Sequence, residues 1–276
     1  MRPLYFLTPP DIQKLDFSEH VSLSLDCGKS FRSVSVKDSQ IRFNDVSLPV
    51  PSLALTNERT ILIYKDGEWQ KWQRFDEETN KFYKMIFVLE GKPPTVEISG
   101  IKMHVTMDGH PGLDTERKLR ELGKIEGGVV DICCGLGYTA QALASKPGVA
   151  HVTVFERDAN MLALCRENPW SAGLWNNEKI SIHHQSAVDG ILTLSDKSCA
   201  AILHDPPRFA LAPELYEVDF YRECRRILSK RGRIYHYTGN PNQHRKKSLP
   251  ERTIERLTEA GFRNAREAYQ GVKAMA

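Results

Sequence analysis

Two short runs in this chain of 276 residues place reactive side chains at spacings that suit chemistry. The first is Val129-Val130-Asp131-Ile132-Cys133-Cys134-Gly135-Leu136-Gly137-Tyr138-Thr139-Ala140. An apolar run ends in Gly-x-Gly and passes into a helical pattern, a strand–turn–helix in which the backbone turns tightly and approaches a ligand. Nineteen residues after Gly137, at the end of the next apolar run, stands Glu156, followed by Arg157. A carboxylate at that place accepts both hydroxyl hydrogens of a ribose. Gly135, Gly137 and Ala140 also match a dinucleotide fingerprint, and Asp131 separates the two ligands. A pyrophosphate at the turn would be repelled by a carboxylate four residues before the first glycine, whereas an ammonium and a sulfonium would be attracted. The expected cofactor is S-adenosyl-L-methionine. Asp131, Gly135 and Gly137 are the candidates for its methionine end and Glu156 for its ribose, with Cys133 and Arg157 as further contacts. Enzymes of this class often carry an acid after the third strand for the adenine amino group, and here Ser186 holds that place.

The second run is Ala201-Ile202-Leu203-His204-Asp205-Pro206-Pro207-Arg208-Phe209. Two prolines stiffen the loop and keep the residue before them extended, so Asp205 and the neighbouring carbonyls are held in fixed positions at a strand end, where ligands of α/β sheets bind. Asp-Pro-Pro with an aromatic nearby resembles the Asn/Asp-Pro-Pro-aromatic motif of enzymes that methylate amino groups of bases or amides. Arg208 displaces the aromatic by one place, a spacing that resembles the loop of some ribosomal-RNA base methyltransferases. The candidate catalytic residues are therefore Asp205, Pro206 and Phe209. Asp205 is also a candidate for binding the cofactor, and Arg208, Tyr216 and Tyr221 are candidates for binding substrate. Methyl transfer is an in-line displacement, so the protein mainly positions the nucleophile and no metal is called for. Attack by cytosine carbon-5 would need a thiolate, and neither HDPPRF nor HYTGNP contains a cysteine.

These residues need a frame. From about 110 onward strands and helices alternate: GGVVDIC, TAQALA, HVTVFE, DANMLALCREN, ISIHH, AAILHD, DFYRECRRILS, GRIYHYTG and IERLTEAGF. That order predicts an α/β, Rossmann-like, doubly wound sheet. REAY and VKAMA, so close together, predict a C-terminal antiparallel hairpin. Gly109 to Thr115 reads as a linker, with Asp114 or Thr115 capping the helix that follows. Before it, VSLSLDCG, FRSVSV, IRF, TILIYK, EWQKWQRF, FYKMIFVLE and TVEISGIKMHV read as short strands, with a hairpin at Asp66-Gly67. The expected division is a small β-rich domain over 1–108, a candidate for substrate recognition, and a catalytic domain over 109–276.

Composition excludes little. Hydrophobic residues make up 41% and charged residues 26%, as in ordinary globular chains. No apolar run is long enough to span a membrane and the N-terminus lacks a signal-peptide pattern, so the expected location is the cytoplasm and no membrane partner is expected. The six cysteines show no zinc or disulfide spacing. Residues 1–110 carry 14 basic and 15 acidic side chains, and the rest carry 24 and 20. A nucleic-acid partner would therefore meet mainly the second half, where Arg222, Arg225, Arg226, Lys230, Arg231, Arg233 and Arg245-Lys246-Lys247 are candidates for phosphates.

The combination of GLGYTA, NPWS, HDPPRF and HYTGNP resembles a family of predicted archaeal methyltransferases over residues 100 to 265. The resemblance implies a class I S-adenosylmethionine fold and leaves the substrate open. A nitrogen of an RNA base is the leading acceptor, and a protein side chain is a second. Aminopropyl transfer of the polyamine-synthase type, and a non-catalytic RNA- or protein-binding module, are the alternatives.

Overall fold

A computed structural model of the chain describes residues 3–15, 19–104, 106–107, 109–239 and 248–276. They group into two units: residues 1–114 together with 166–172, and residues 115–165 together with 173–276.

The first unit holds three antiparallel sheets. Tyr5–Leu7 pairs with Leu62–Lys65, which pairs with Glu68–Lys71. A meander joins His20–Leu23, Arg32–Lys37, Gln40–Phe43 and Val46–Pro49, and another joins Gln73–Asp76, Lys81–Ile86, Thr95–Ile98 and Ile101–Lys102. Alternate residues of the first two sheets close a core containing Leu7, Leu23, Val34, Ile41, Leu48, Leu62 and Trp69. The Asp66-Gly67 hairpin forms, with φ of 55° and 93° at the two turn residues, as a two-residue turn matched to strand twist requires. EWQKWQRF, expected as one strand, breaks at Trp72 into strands of different sheets. The indole of Trp72 is buried and its neighbours diverge around it.

The second unit is a seven-stranded sheet. Numbering elements from residue 111, its strands are β1 (Gly127–Ile132), β2 (Val149–Phe155), β3 (Ile180–His183), β4 (Cys199–His204), β5 (Leu228–Tyr237), β6 (Arg263–Ala268) and β7 (Gly271–Met275). Their order in the sheet is β3-β2-β1-β4-β5-β7-β6. The first five run parallel, and β7 is antiparallel to both β5 and β6. The C-terminal hairpin therefore inserts its second strand next to β5 and leaves the first at the edge. The helices are α1 (Pro111–Leu122), α2 (Tyr138–Ala144), α3 (Ala159–Glu167), α4 (Ala172–Trp175), α5 (Ala187–Leu192), α6 (Val218–Ile227) and α7 (Leu249–Glu259). Phe220, Tyr221, Cys224 and Ile227 of α6 and Leu257 of α7 pack on Val130, Ile132, Ile202 and Ile234 of the sheet.

Helix α1 starts earlier than expected. Pro111 opens it and the Nδ1 of His110 accepts the Leu113 amide at 3.2 Å, so Asp114 and Thr115 lie inside the helix rather than at its N-cap. Proline suits a first helical position because its missing N–H would have had no partner there.

Candidate active site

The carboxyl ends of β1, β2 and β4 bring Asp131, Glu156 and Asp205 together. The register sets Ile132 opposite both Phe155 and His204, so the three strands end level. The amide of Asp205 donates to the Ile132 carbonyl at 3.1 Å and fastens the Asp205 loop to the end of β1.

Asp131 is fully buried. Its Oδ2 accepts the Thr139 hydroxyl at 2.7 Å, while its Oδ1 is buried with no partner. Burial pushes its carboxyl up to about 7, against the Thr139 hydrogen bond, with Asp205 and Glu156 adding repulsion. A buried carboxylate oxygen without a donor costs free energy until a donor arrives. The glycine turn curls beside it. Gly137 caps α2 with φ 71°, a conformation that favours glycine, and a Cβ built there would lie 2.5 Å from Leu174 Cδ2, so the Leu174 side chain would have to shift to admit one. A Cβ at Gly135 would meet only Met161 Cε at 4.0 Å, so that side of the turn is open. Cys133 also holds positive φ, at 64°. Its thiol is pushed well up by burial and by Glu156, which is the reverse of what a nucleophile needs.

Glu156 follows β2 and is 7% exposed. Its Oε2 accepts the Gly135 amide at 3.1 Å and its Oε1 accepts the Asp158 amide at 2.9 Å. The carboxylate is thus locked to the turn, with lone pairs left for ribose hydroxyls. Burial raises its carboxyl. Arg157 turns to Glu214 at 2.9 Å on the surface. Ser186 is the N-cap of α5 and accepts the Val188 amide at 3.2 Å, which leaves its hydroxyl hydrogen and one lone pair for an adenine.

Asp205 has a partner that sequence reasoning missed. Lys118 of α1 donates to its Oδ2 at 2.6 Å, with the lysine side chain 1% exposed and the aspartate 20%. The lysine ammonium also lies 4.3 Å from the Tyr237 ring centroid. The signal was present, since Thr115, Lys118, Leu119 and Leu122 form one i, i+3, i+4, i+7 stripe, and all four are buried. Pro206 is buried and Pro207 presents its carbonyl to the Tyr216 hydroxyl at 2.8 Å. Phe209 is 37% exposed, stands edge-on to Tyr216 at 5.4 Å and lies beneath the Arg256 guanidinium. Arg208 is exposed.

The two tyrosines need correction. Tyr216 is 1% exposed and Tyr221 fully enclosed. Tyr216 props the Pro207 carbonyl from below, and Tyr221 bonds His236 Nδ1 at 3.1 Å. Their rings are part of a buried layer with Phe220, His204 and His236, where the two imidazole centroids are 4.2 Å apart. Burial holds both histidines neutral, with His204 lowered to about 3.

Most of the expected phosphate-binding arginines are also spoken for. Arg222 pairs with Asp219, Arg225 donates to the Gly261 carbonyl, Arg226 binds Asp196, Glu223 and two carbonyls, and Arg233 holds the Leu122 carbonyl. Lys230 and Arg231 are exposed. Arg245-Lys246-Lys247 lie outside the described residues. Trp170 groups with the first unit, donating its indole N–H to the Cys27 carbonyl at 2.9 Å. No helix among the described residues is long and apolar enough to cross a membrane.

Three carboxyl groups, one ammonium, an open glycine turn and an unpartnered buried oxygen fit a cofactor that carries positive charge. Comparison with known proteins agrees. A family profile described as a methyltransferase domain matches residues 129–232. An uncharacterised protein of Methanocaldococcus jannaschii is 35% identical over 268 residues, spanning 94% of this chain and 90% of its own. A polyamine aminopropyltransferase of Lachnoclostridium phytofermentans is 24% identical over 182 residues, 63% of this chain and 60% of that protein. The fold is similar to that of spermidine synthase from Thermotoga maritima, with a TM-score of 0.57, 12% identity, and coverage of 84% of this chain and 76% of that one.

Proposed function

The chain belongs to the family of the Methanocaldococcus jannaschii protein and carries an S-adenosylmethionine-dependent methyltransferase domain, and from that premise we propose that it methylates a nitrogen of an RNA base. When bound, S-adenosylmethionine supplies an electrophilic methyl group on a sulfonium. Asp131 and the Gly135–Gly137 turn hold the methionine end, and Glu156 takes the ribose hydroxyls. Asp205 accepts a hydrogen of the target nitrogen and fixes the direction of its lone pair, which is the positioning that the displacement needs.

One observation carries this reading, the ion pair between Lys118 and Asp205 at 2.6 Å. A carboxylate already neutralised by a buried ammonium accepts N–H hydrogens without presenting net negative charge. It suits a neutral, planar, weakly basic nitrogen, the kind found in a nucleobase. The half-exposed Phe209 ring supports the reading as a stacking platform, and the exposed Arg208 suits a phosphate.

The polyamine aminopropyltransferase relative favours a second reading, aminopropyl transfer to a diamine. Its acceptor is a cation near neutral pH and calls for uncompensated acids, which the Lys118 pair opposes. Purified chain incubated with methyl-labelled S-adenosylmethionine and RNA from a deletion strain tests the choice. The expected result is label in a nitrogen-methylated nucleoside. Label confined to protein, or product formed only from the decarboxylated cofactor and putrescine, refutes it.

A further inference from the structure

The surroundings of Lys118 say more than that Asp205 is neutralised. Its ammonium is 2.6 Å from the Asp205 carboxylate and 4.3 Å from the Tyr237 ring centroid, inside a site that leaves the lysine side chain 1% exposed. A carboxylate beside an aromatic face is the arrangement that recognises an alkylammonium ion. Here the ion is the protein's own, delivered on the four-carbon stem of a residue of α1. An apolar residue would fill that place on the buried stripe without the cost of taking a charge out of water.

We propose that Lys118 is a specificity-determining residue: its ammonium fills, from within, the seat for an alkylammonium formed by Asp205 and Tyr237, and so closes the acceptor site to free di- and polyamines. This rests on the reading of Asp205 as the group that meets the acceptor. On that reading, the seat is what sets this chain apart from an aminopropyltransferase 24% identical to it and a spermidine synthase of similar fold. No covalent step differs between the two cases at this position; what differs is whether the cation in the seat belongs to the protein or to the substrate.

Substitution with methionine tests the idea, because Lys118→Met keeps the length of the stem and removes the charge. Spermidine and putrescine are titrated calorimetrically into the full chain saturated with S-adenosylhomocysteine. The wild type is expected to give no saturable heat with millimolar amine. Lys118→Met gains saturable binding of spermidine, at least about tenfold tighter than any wild-type binding, in keeping with a charge-assisted, partly desolvated contact. The gain disappears in Lys118→Met/Asp205→Asn, and Lys118→Arg behaves as wild type. Should Lys118→Met not fold, as judged by circular dichroism and thermal unfolding, Lys118→Gln carries the same expectation. Wild-type binding of spermidine as tight as that of the variant, or a folded neutral variant with no gain, overturns the proposal. The methyltransferase reading fails separately, by a wild type that binds no S-adenosylhomocysteine; the amine titrations are then repeated without it and still report on the seat.

Discussion

Asp131 titrates in the physiological range because it is buried, and cofactor binding should show it. Its folded-state carboxyl stands at about 7 against 3.8 in water, a difference worth about 4 kcal/mol. An acid whose folded value exceeds its unfolded one holds its proton more tightly when folded. Its contribution to stability is therefore complete below pH 4 and lost as the pH rises through 7. The methionine ammonium of the cofactor needs the ionised carboxylate. Between pH 5.5 and 7 the protein must release the Asp131 proton before pairing, so affinity for S-adenosylmethionine should rise about 15-fold over that range and flatten above 7. Asp131→Asn removes the titration. In that variant affinity becomes flat over the same range and falls about 10- to 100-fold at pH 8, the worth of a hydrogen bond to a charged group. Calorimetric titrations at four pH values, in two buffers of different ionisation enthalpy, measure both the affinity and the proton released. A pH-independent wild-type affinity, or a slope kept intact in Asp131→Asn, would refute the reasoning.

Gly137→Ala places a Cβ at positive φ and 2.5 Å from Leu174 Cδ2, a combination that should cost about 2–4 kcal/mol. Thermal unfolding would then fall by about 5–15 °C, and an unchanged midpoint contradicts the packing described. His204 carries two buried ring nitrogens without partners, so His204→Phe should leave stability within about 1 kcal/mol of wild type or raise it. Because burial lowers His204 to about 3 from 6.5, the wild type loses stability as pH falls from 6.5 towards 3, and the variant should lose less in acid unfolding. Glu167 gathers the Lys65 ammonium, the Trp72 indole N–H and the Arg74 guanidinium at 3.2, 3.0 and 2.6 Å. Glu167→Gln should destabilise the first unit by about 2–4 kcal/mol in urea unfolding, and a loss under about 0.5 kcal/mol, the scale of an ordinary surface substitution, contradicts the clamp.

What could be read from the residues depended on range. The glycine turn, Asp131 and Glu156 are local in sequence or tied to strand ends, so spacing alone located them, and the same holds for Asp205 before its prolines. The Asp66-Gly67 hairpin was legible because two residues with positive φ leave few choices. The short helix Pro9–Lys14 was hidden in a run of six residues; its local signs were the Thr8-x-x-Asp11 capping box and the proline at its first position. The order of β7 and β6 depends on pairing across the sheet, which periodicity does not encode. The burial of Tyr221, and the partners of Arg222, Arg225 and Arg226, are tertiary facts of the same kind. Lys118 is the instructive case, since a lysine sharing a helical stripe with Leu119 and Leu122 stood out as unusual, yet 87 residues separate it from Asp205.

A crystal structure of the chain with S-adenosylhomocysteine tests the central claim most directly. The ligand's ammonium should lie within hydrogen-bonding distance of the Asp131 carboxylate or of a water it holds, with both ribose hydroxyls on Glu156 and the sulfur facing Asp205. A ligand whose tail avoids Asp131, or a dinucleotide with its pyrophosphate seated at Gly135–Gly137, would contradict it.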